Sequence, residues 1–378
     1  MTKIATTRVR MALLSLVAAS ALLICGTGGS QAQQQPNPNV RPPAGAVAPV
    51  DPAQVDPTQP RNYDAEMWRK VRRSLEGKVS IPDAKAGRLV DSSGEAWRNF
   101  RNGPLPTYGA WAIGGVVALL ALFFVVRGPI RIEHGRSGWT VERFSSFERT
   151  GHWLLASSFI ILAFTGLNIL YGRYLLLPLI GQQAFAAITQ IGKMLHNYVA
   201  FAFMIGLIWV FVTWVWHNLP DRRDLRWLAV GGGFFTKGVH PPAWKFNAGQ
   251  KIIFWLVILC GISISMSGLA LLFPYQVPLF AKTFGVLNSL FGLGLPESLT
   301  PNEEMQYAAS WHGIVALFLA VLIIAHIYIG TIGMEGAFAA MGTGQVDGNW
   351  AKEHHSLWAE QVLASQGKEA GAQPQPAE

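Results

Sequence analysis

Five stretches of the chain, roughly residues 109–126, 152–170, 197–216, 252–273 and 312–333, contain no Asp, Glu, Lys or Arg. Each runs about 17–22 residues, enough α-helix to cross a hydrocarbon layer about 30 Å thick. Inside lipid a backbone must satisfy its own polar groups, and unbroken apolar runs of this length do so as helices. The expected fold class is therefore an all-α membrane protein. Only 14% of the residues are charged, against about 25% in a soluble domain. The formal charge of +8 does not point to nucleic acid. The basic residues lie between the apolar runs, and no nucleic-acid motif accompanies them.

The basic residues instead give an orientation. Arg127, Arg131, Arg136, Arg143 and Arg149 lie between the first and second runs. Arg222, Arg223, Arg226, Lys237, Lys245 and Lys251 lie between the third and fourth. The alternate loops, 171–196 and 274–311, carry only Arg173, Lys193 and Lys282. The positive-inside rule makes the first pair cytoplasmic, with the C-terminus cytoplasmic and the N-terminal arm periplasmic. Ten Lys and Arg in residues 61–101 run against this, but long translocated segments largely escape the rule.

Ahead of the runs, residues 1–32 have the make-up of a secretory signal. Lys3, Arg8 and Arg10 precede an apolar core at 11–25, with small residues around Ala32. Residues 33–108 form a linker and arm. Their first part, 33–60, is rich in Gln, Pro, Asn and Ala, a composition that favours disorder. An amphipathic helix is expected near 65–75. Residues 109–126 form an extra transmembrane helix, 143–340 a four-helix domain, and 341–378 a polar tail.

Histidine stands out within the runs. His312 and His326 are fourteen positions apart in the last one. That spacing advances a helix by about 21 Å and returns to within about 40° of the same direction. With alternating helix directions, His196 falls at the depth of His312, and His152 at the depth of His326. Burying an unpartnered polar group in lipid costs several kcal/mol, and intramembrane ionisable residues are functional suspects. Each level then offers two imidazoles from different helices. A zinc site would need two further ligands at each level, and none is available. The two cysteines, Cys25 and Cys260, cannot frame an iron–sulfur cluster or a covalent haem site. A proton relay would normally recruit Asp or Glu within the helices. Two imidazoles do suit a six-coordinate haem iron, whose macrocycle supplies the other four nitrogens. Gly166, fourteen residues after His152, would leave room for such a ring. His134, His217, His240, His354 and His355 lie in the cytoplasmic segments and read as surface or interface groups.

Several segments carry a resemblance. They are RTGHW (149–153), KMLHNYVAF (193–201), WHNLPDRRDLRWL (216–228), KFNAGQKIIFW (245–255), WHGIVALFLAVLIIAHIYIGT (311–331) and WAKEHHSLW (350–358). In this order they resemble the gamma, or cytochrome b, subunit of respiratory formate dehydrogenase. The cytochrome b of nickel–iron hydrogenase shares the plan but not the Asn-Ala-Gly-Gln-Lys run. The resemblance implies a four-helix transmembrane bundle holding two b haems, with His196 and His312 as the outer ligands and His152 and His326 as the inner ones. It also implies a quinone site at Asn247, Gly249, Gln250 and His326. The implied partners are a molybdenum or tungsten catalytic alpha subunit and an iron–sulfur beta subunit in the bacterial inner membrane. Formate oxidation itself would not occur on this chain. The front of the chain departs from the family pattern, which begins near RTGHW. Two rivals remain from the residues: the same electron path serving another oxidoreductase, and a metal or proton transporter using intramembrane histidines.

Overall fold

The computed structural model describes residues 93–365 apart from Lys237 and Tyr275. The expected signal, the linker, the helix near 65–75 and the chain beyond residue 365 lie outside the described residues. Among the described residues, five helical stretches are long and apolar enough to span a membrane: Gly94–Arg127, Ser146–Leu175, Leu177–Asn218, Ala248–Leu272 and Pro301–Gly333. The chain is an all-α membrane-spanning protein.

In chain order, α1 (Ser93–Asn102) leads into α2 (Pro104–Arg127). Then come α3 (Ser146–Leu175), α4 (Leu177–Trp214), the short α5 (Arg222–Ala229) and α6 (Ala248–Leu272). They are followed by α7 (Phe280–Phe291) and α8 (Pro301–Tyr328), which continues as a π-turn over Ile329–Gly333. The helices α9 (Ala337–Gly342), α10 (Gly348–His354) and α11 (Ser356–Ser365) close the fold.

Three of the spanning helices start on reciprocal caps: Ser145 with Glu148, Asn247 with Gln250, and Thr300 with Glu303. In each, the first side chain accepts from a backbone N–H of the opening turn, and the second reaches back to the N–H of the first. This satisfies donors that a helix leaves without partners.

Small residues set the helix contacts. A Cβ at Gly206 of α4 would come within 2.8 Å of the Leu155 backbone nitrogen in α3. Only a glycine lets these two backbones approach so closely. A Cβ at Gly261 of α6 would meet the Leu207 side chain of α4. Trp311 Nε1 of α8 donates to Ser263 Oγ of α6 at 2.7 Å. The extra helix α2 lies along α8: Leu105 covers Gly313, and a Cβ at Gly109 would strike Leu317. Tyr171 Oη of α3 also donates to the Pro106 carbonyl at 2.8 Å.

The segment 171–196 is not the loop expected from its polarity. Leu176 alone separates α3 from α4, and α4 absorbs its bend at Gly181, whose φ is 76°. Residues 182–196 are mostly good helix formers, so the helices continue past the apolar runs instead of ending with them.

The loops 128–145 and 215–247 and the segment 329–365 gather at the end rich in Arg and Lys, the basic end. There β1 (Thr140–Glu142) pairs antiparallel with β2 (Gln345–Asp347), with Val141 opposite Val346. Much of the buried core sits here, including Phe144, Trp214, Phe246, Val346, Trp350 and Trp358. Arg143 is buried among the rings of Phe144, Trp350 and Trp358, 5.1–5.2 Å from each, and donates to the Lys245 carbonyl at 2.7 Å. Burial pulls its guanidinium down to about 9, which leaves it charged at neutral pH. His355 is also buried, with Nδ1 2.8 Å from the Trp244 carbonyl oxygen. It is therefore an interior group of this cap and not a surface one, because the tryptophans of α10 and α11 fold over it.

Candidate functional site

Four histidines bring three helices together at two levels. At the opposite end of the bundle, the rings of His196 (α4) and His312 (α8) have centroids 6.1 Å apart and an interplanar angle of 63°. Towards the basic end, His152 (α3) and His326 (α8) stand 6.3 Å apart at 56°. Two imidazoles facing each other across one metal atom, at about 2.0 Å each with ring centres about 1.1 Å further out, have centroids about 6.2 Å apart. Both pairs have this spacing. Among the described residues no group of three or more His, Cys, Asp or Glu is placed to hold a metal. Each level thus brings two imidazoles together, and two is the number of positions a porphyrin iron leaves open to a protein.

The pair far from the basic end is oriented by hydroxyls that composition does not single out. Thr165 Oγ1 lies 2.8 Å from His196 Nδ1 and donates to the Ile161 carbonyl at 2.8 Å. Ser267 Oγ lies 3.1 Å from His312 Nδ1 and donates to the Ile264 carbonyl at 3.0 Å. A hydroxyl has one proton. With that proton committed to a carbonyl, each oxygen accepts from the imidazole, so Nδ1 carries the hydrogen and Nε2 is left as a lone-pair donor. A metal-ligating histidine characteristically hands its other ring nitrogen to such a partner. At the inner pair, His152 Nδ1 is buried without a hydrogen bond.

Glycines flank the outer rings. A Cβ at Gly166 would lie 3.5 Å from His196 Cε1, and one at Gly268 would lie 3.3 Å from His312 Cε1. The sequence singled out Gly166. Gly268 had no spacing relation to another histidine on its own helix and was not legible.

The segment Asn247–Gln250 begins α6 at the basic end. Asn247 Oδ1 accepts from the Gln250 N–H at 3.0 Å, and Gln250 Oε1 accepts from the Asn247 N–H at 3.1 Å. Both side-chain oxygens are occupied by the cap, so what these amides have to offer a ligand is their NH2 donors. Gly249 has a packing reason: a Cβ there would meet Trp227 Cη2 at 2.9 Å. Asn247 also lines a cavity of about 530 Å³ with Arg127, Glu133, His240, Met334 and His354.

Known proteins align with the region that carries this geometry. A profile of the prokaryotic cytochrome b561 family matches residues 143–344. A cytochrome b556 subunit of formate dehydrogenase from Escherichia coli K12 is 28% identical over 232 residues, covering 61% of this chain and 97% of the relative. The cytochrome b556 subunit of the nitrate-inducible formate dehydrogenase of the same strain is 26% identical over 230 residues, covering 60% and 94%. A formate dehydrogenase cytochrome b556 subunit from Haemophilus influenzae is 26% identical over 220 residues, covering 57% and 81%. The matched span holds all four facing histidines, and the chain belongs to the prokaryotic cytochrome b561 family.

Proposed function

We propose that this chain is the membrane electron-transfer subunit of a formate dehydrogenase, the gamma or cytochrome b subunit, which binds two b haems and delivers electrons to a membrane quinone. The observation that carries the reading is the pair of facing imidazoles at each of two levels, 6.1 and 6.3 Å apart. Membership of a cytochrome b family implies b-type haem. His196 and His312 would hold one, and His152 and His326 the other. Bound haem supplies reversible one-electron chemistry at iron, tuned by its axial ligands and their hydrogen bonds. Thr165 and Ser267 fix the tautomer of the outer ligands, and the apolar helices exclude water from both levels.

The quinone end is assigned to Asn247, Gly249, Gln250 and His326. The free amide NH2 groups of Asn247 and Gln250 can donate to quinone carbonyl oxygens while their own oxygens hold the helix cap. The excess of Arg and Lys makes the basic end cytoplasmic, so quinone is reduced on the cytoplasmic face of the inner membrane. Electrons arrive from the other face, from an iron–sulfur subunit served by a molybdenum or tungsten catalytic subunit. The similar proteins from Escherichia coli and Haemophilus influenzae favour formate dehydrogenase over hydrogenase as the parent complex.

A reduced-minus-oxidised visible spectrum of the purified chain tests this. The expected haem content is about two per chain, with bis-imidazole bands, falling to about one in His312→Ala. Colourless protein, as a transporter would give, overturns the reading. So does a His312→Ala protein that keeps both haems.

A further inference from the structure

The cavity of about 530 Å³ at the basic end is built about half from residues outside the family match. Arg127, which ends α2, and residues 128–133 after it form one wall, and Glu353 and His354 of α10 form another. The matched region contributes the 227–241 loop, Asn247 and Met334. Within these walls, Glu133, His240 and His354 stand in series. Glu133 Oε1 accepts from the Gly238 N–H at 2.6 Å, and its Oε2 lies 3.1 Å from His240 Nε2. The His240 ring lies 6.0 Å from the His354 ring, edge to face. The Nε2 atom of His354 is buried with no hydrogen bond. A buried polar atom left in that state costs about 1–3 kcal/mol. The cavity is polar and far exceeds the roughly 10–15 Å³ that one water needs, so water can serve this nitrogen and bridge it to the Glu133–His240 pair. Glu133 is about a third exposed, with 35% of its side chain open to solvent.

We infer that Glu133, His240 and His354 form a proton-uptake route from solvent through this cavity to the quinone end at Asn247. The inference rests on the proposed function. Converting a quinone to a quinol takes two electrons and two protons, one proton for each carbonyl oxygen. The electrons come from the haem-binding bundle, and this route supplies protons from the basic-end solvent. A neutral imidazole suits the task because it accepts on one nitrogen while releasing from the other.

The charges facing these groups are accounted for. His354 meets Glu353 on its own helix, Arg143 just after β1, and His240 and Glu133 across the cavity. Glu353 serves as an anchor: its carboxylate accepts the backbone N–H groups of Glu133 and His134, both at 3.0 Å, and lies 2.9 Å from the His134 ring. Arg127, also on the wall, donates to the Phe234 carbonyl at 2.9 Å. Burial holds His354 neutral at pH 7, its pKa pushed down to about 4.

Two measurements decide the matter. Histidine C2–H exchange in deuterated buffer, read by mass spectrometry on the full chain in native membranes, reports access without any redox chemistry. His240 and His354 should exchange, while sealed His355 stays protected. In the same membranes, dithionite-reduced haem is reoxidised with a soluble quinone analogue. His354→Gln and His240→Gln should slow that oxidation about tenfold at pH 8, with unchanged haem spectra and unchanged quinone-analogue binding. Added imidazole should restore the rate in His354→Ala. A His354 as protected as His355, or variants with the wild-type rate and pH profile, overturns the route. If the unsubstituted chain reduces no quinone at all, the proposed function fails, and protection of His354 still decides whether the cavity is open to protons.

Discussion

Ser267 Oγ sits 3.1 Å from His312 Nδ1 while donating its own proton to the Ile264 carbonyl at 3.0 Å. Thr165 does the same for His196 from another helix. The two rings at the outer level are thus each fixed by a neighbouring helix and not by their own.

Removing either hydroxyl takes the side-chain acceptor away from an imidazole N–H, at up to about 1–3 kcal/mol. Outer partners of metal-bound histidines are typically worth 10- to 100-fold in affinity. Thr165→Val and Ser267→Ala should each speed loss of one haem to a haem-free acceptor protein by roughly that factor, with the second haem unaffected. Equal loss rates in variant and parent proteins would remove the hydroxyls from the site.

The contact between α3 and α4 predicts a stability effect. At Gly206 a new Cβ meets the Leu155 backbone at 2.8–2.9 Å, and backbone cannot turn aside as a flexible side chain can. Gly206→Ala should destabilise the bundle by about 1–3 kcal/mol, seen as a lower thermal midpoint in detergent. Gly114→Ala is the control, since nothing lies within 4 Å of a Cβ there. It should leave the midpoint unchanged or slightly raised, because alanine favours helix.

Asn247 can be divided between its two tasks. Asn247→Asp keeps an oxygen to cap Gln250 N but loses the NH2 donor. The thermal midpoint should hold, while binding of a quinone analogue weakens about three- to tenfold, the worth of one hydrogen bond. Asn247→Ala should lose both. Wild-type quinone-analogue affinity in Asn247→Asp would take this side chain out of the quinone site.

The buried histidines of the basic-end cap make it acid-sensitive. Burial lowers the pKa of His354 to about 4, and drives that of His355 well below its usual 6.5, where the Arg143 charge adds to the effect. The unfolded segment binds these protons near pH 6.5, whereas the folded one binds that of His354 only near 4 and that of His355 well below 6.5, so the unfolded state gains protons first as pH falls. The stability is complete above about pH 6.5 and is lost progressively towards pH 4, by about 3 kcal/mol for His354 alone. Fluorescence of the cap tryptophans Trp350 and Trp358 should report loosening over that window. A signal flat down to pH 4 would contradict it.

How far the sequence led depends on the range of the interaction. The spans and the level of each histidine follow from charge-free runs and alternating basic loops, because bilayer thickness couples position along a helix to depth. The facing of His152 with His326, and of His196 with His312, was legible for that reason. Thr165 and Ser267 were not, since hydroxyls are ordinary in apolar helices and only the helix rotation aims these two at a ring. The burial of His355 was equally hidden. It depends on Trp244, Trp350 and Trp358 arriving from two segments more than a hundred residues apart. The loop expected over 171–196 failed because polarity marks where lipid ends, not where a helix does.

The short ribbon of β1 and β2 has a topological consequence. Its strands lie immediately outside residues 143 and 344, the bounds of the family match, so the stretch that enters the bundle is hydrogen-bonded to the stretch that leaves it. The spanning helices from α3 to α8 are thereby threaded as a closed circuit with a seam at Val141 and Val346. A gene rearranged to start at α8, with the seam fused and the break moved to the segment before Thr300, would keep the helices from α3 to α8 beside one another, while α1, α2, α10 and α11 would fall outside the circuit.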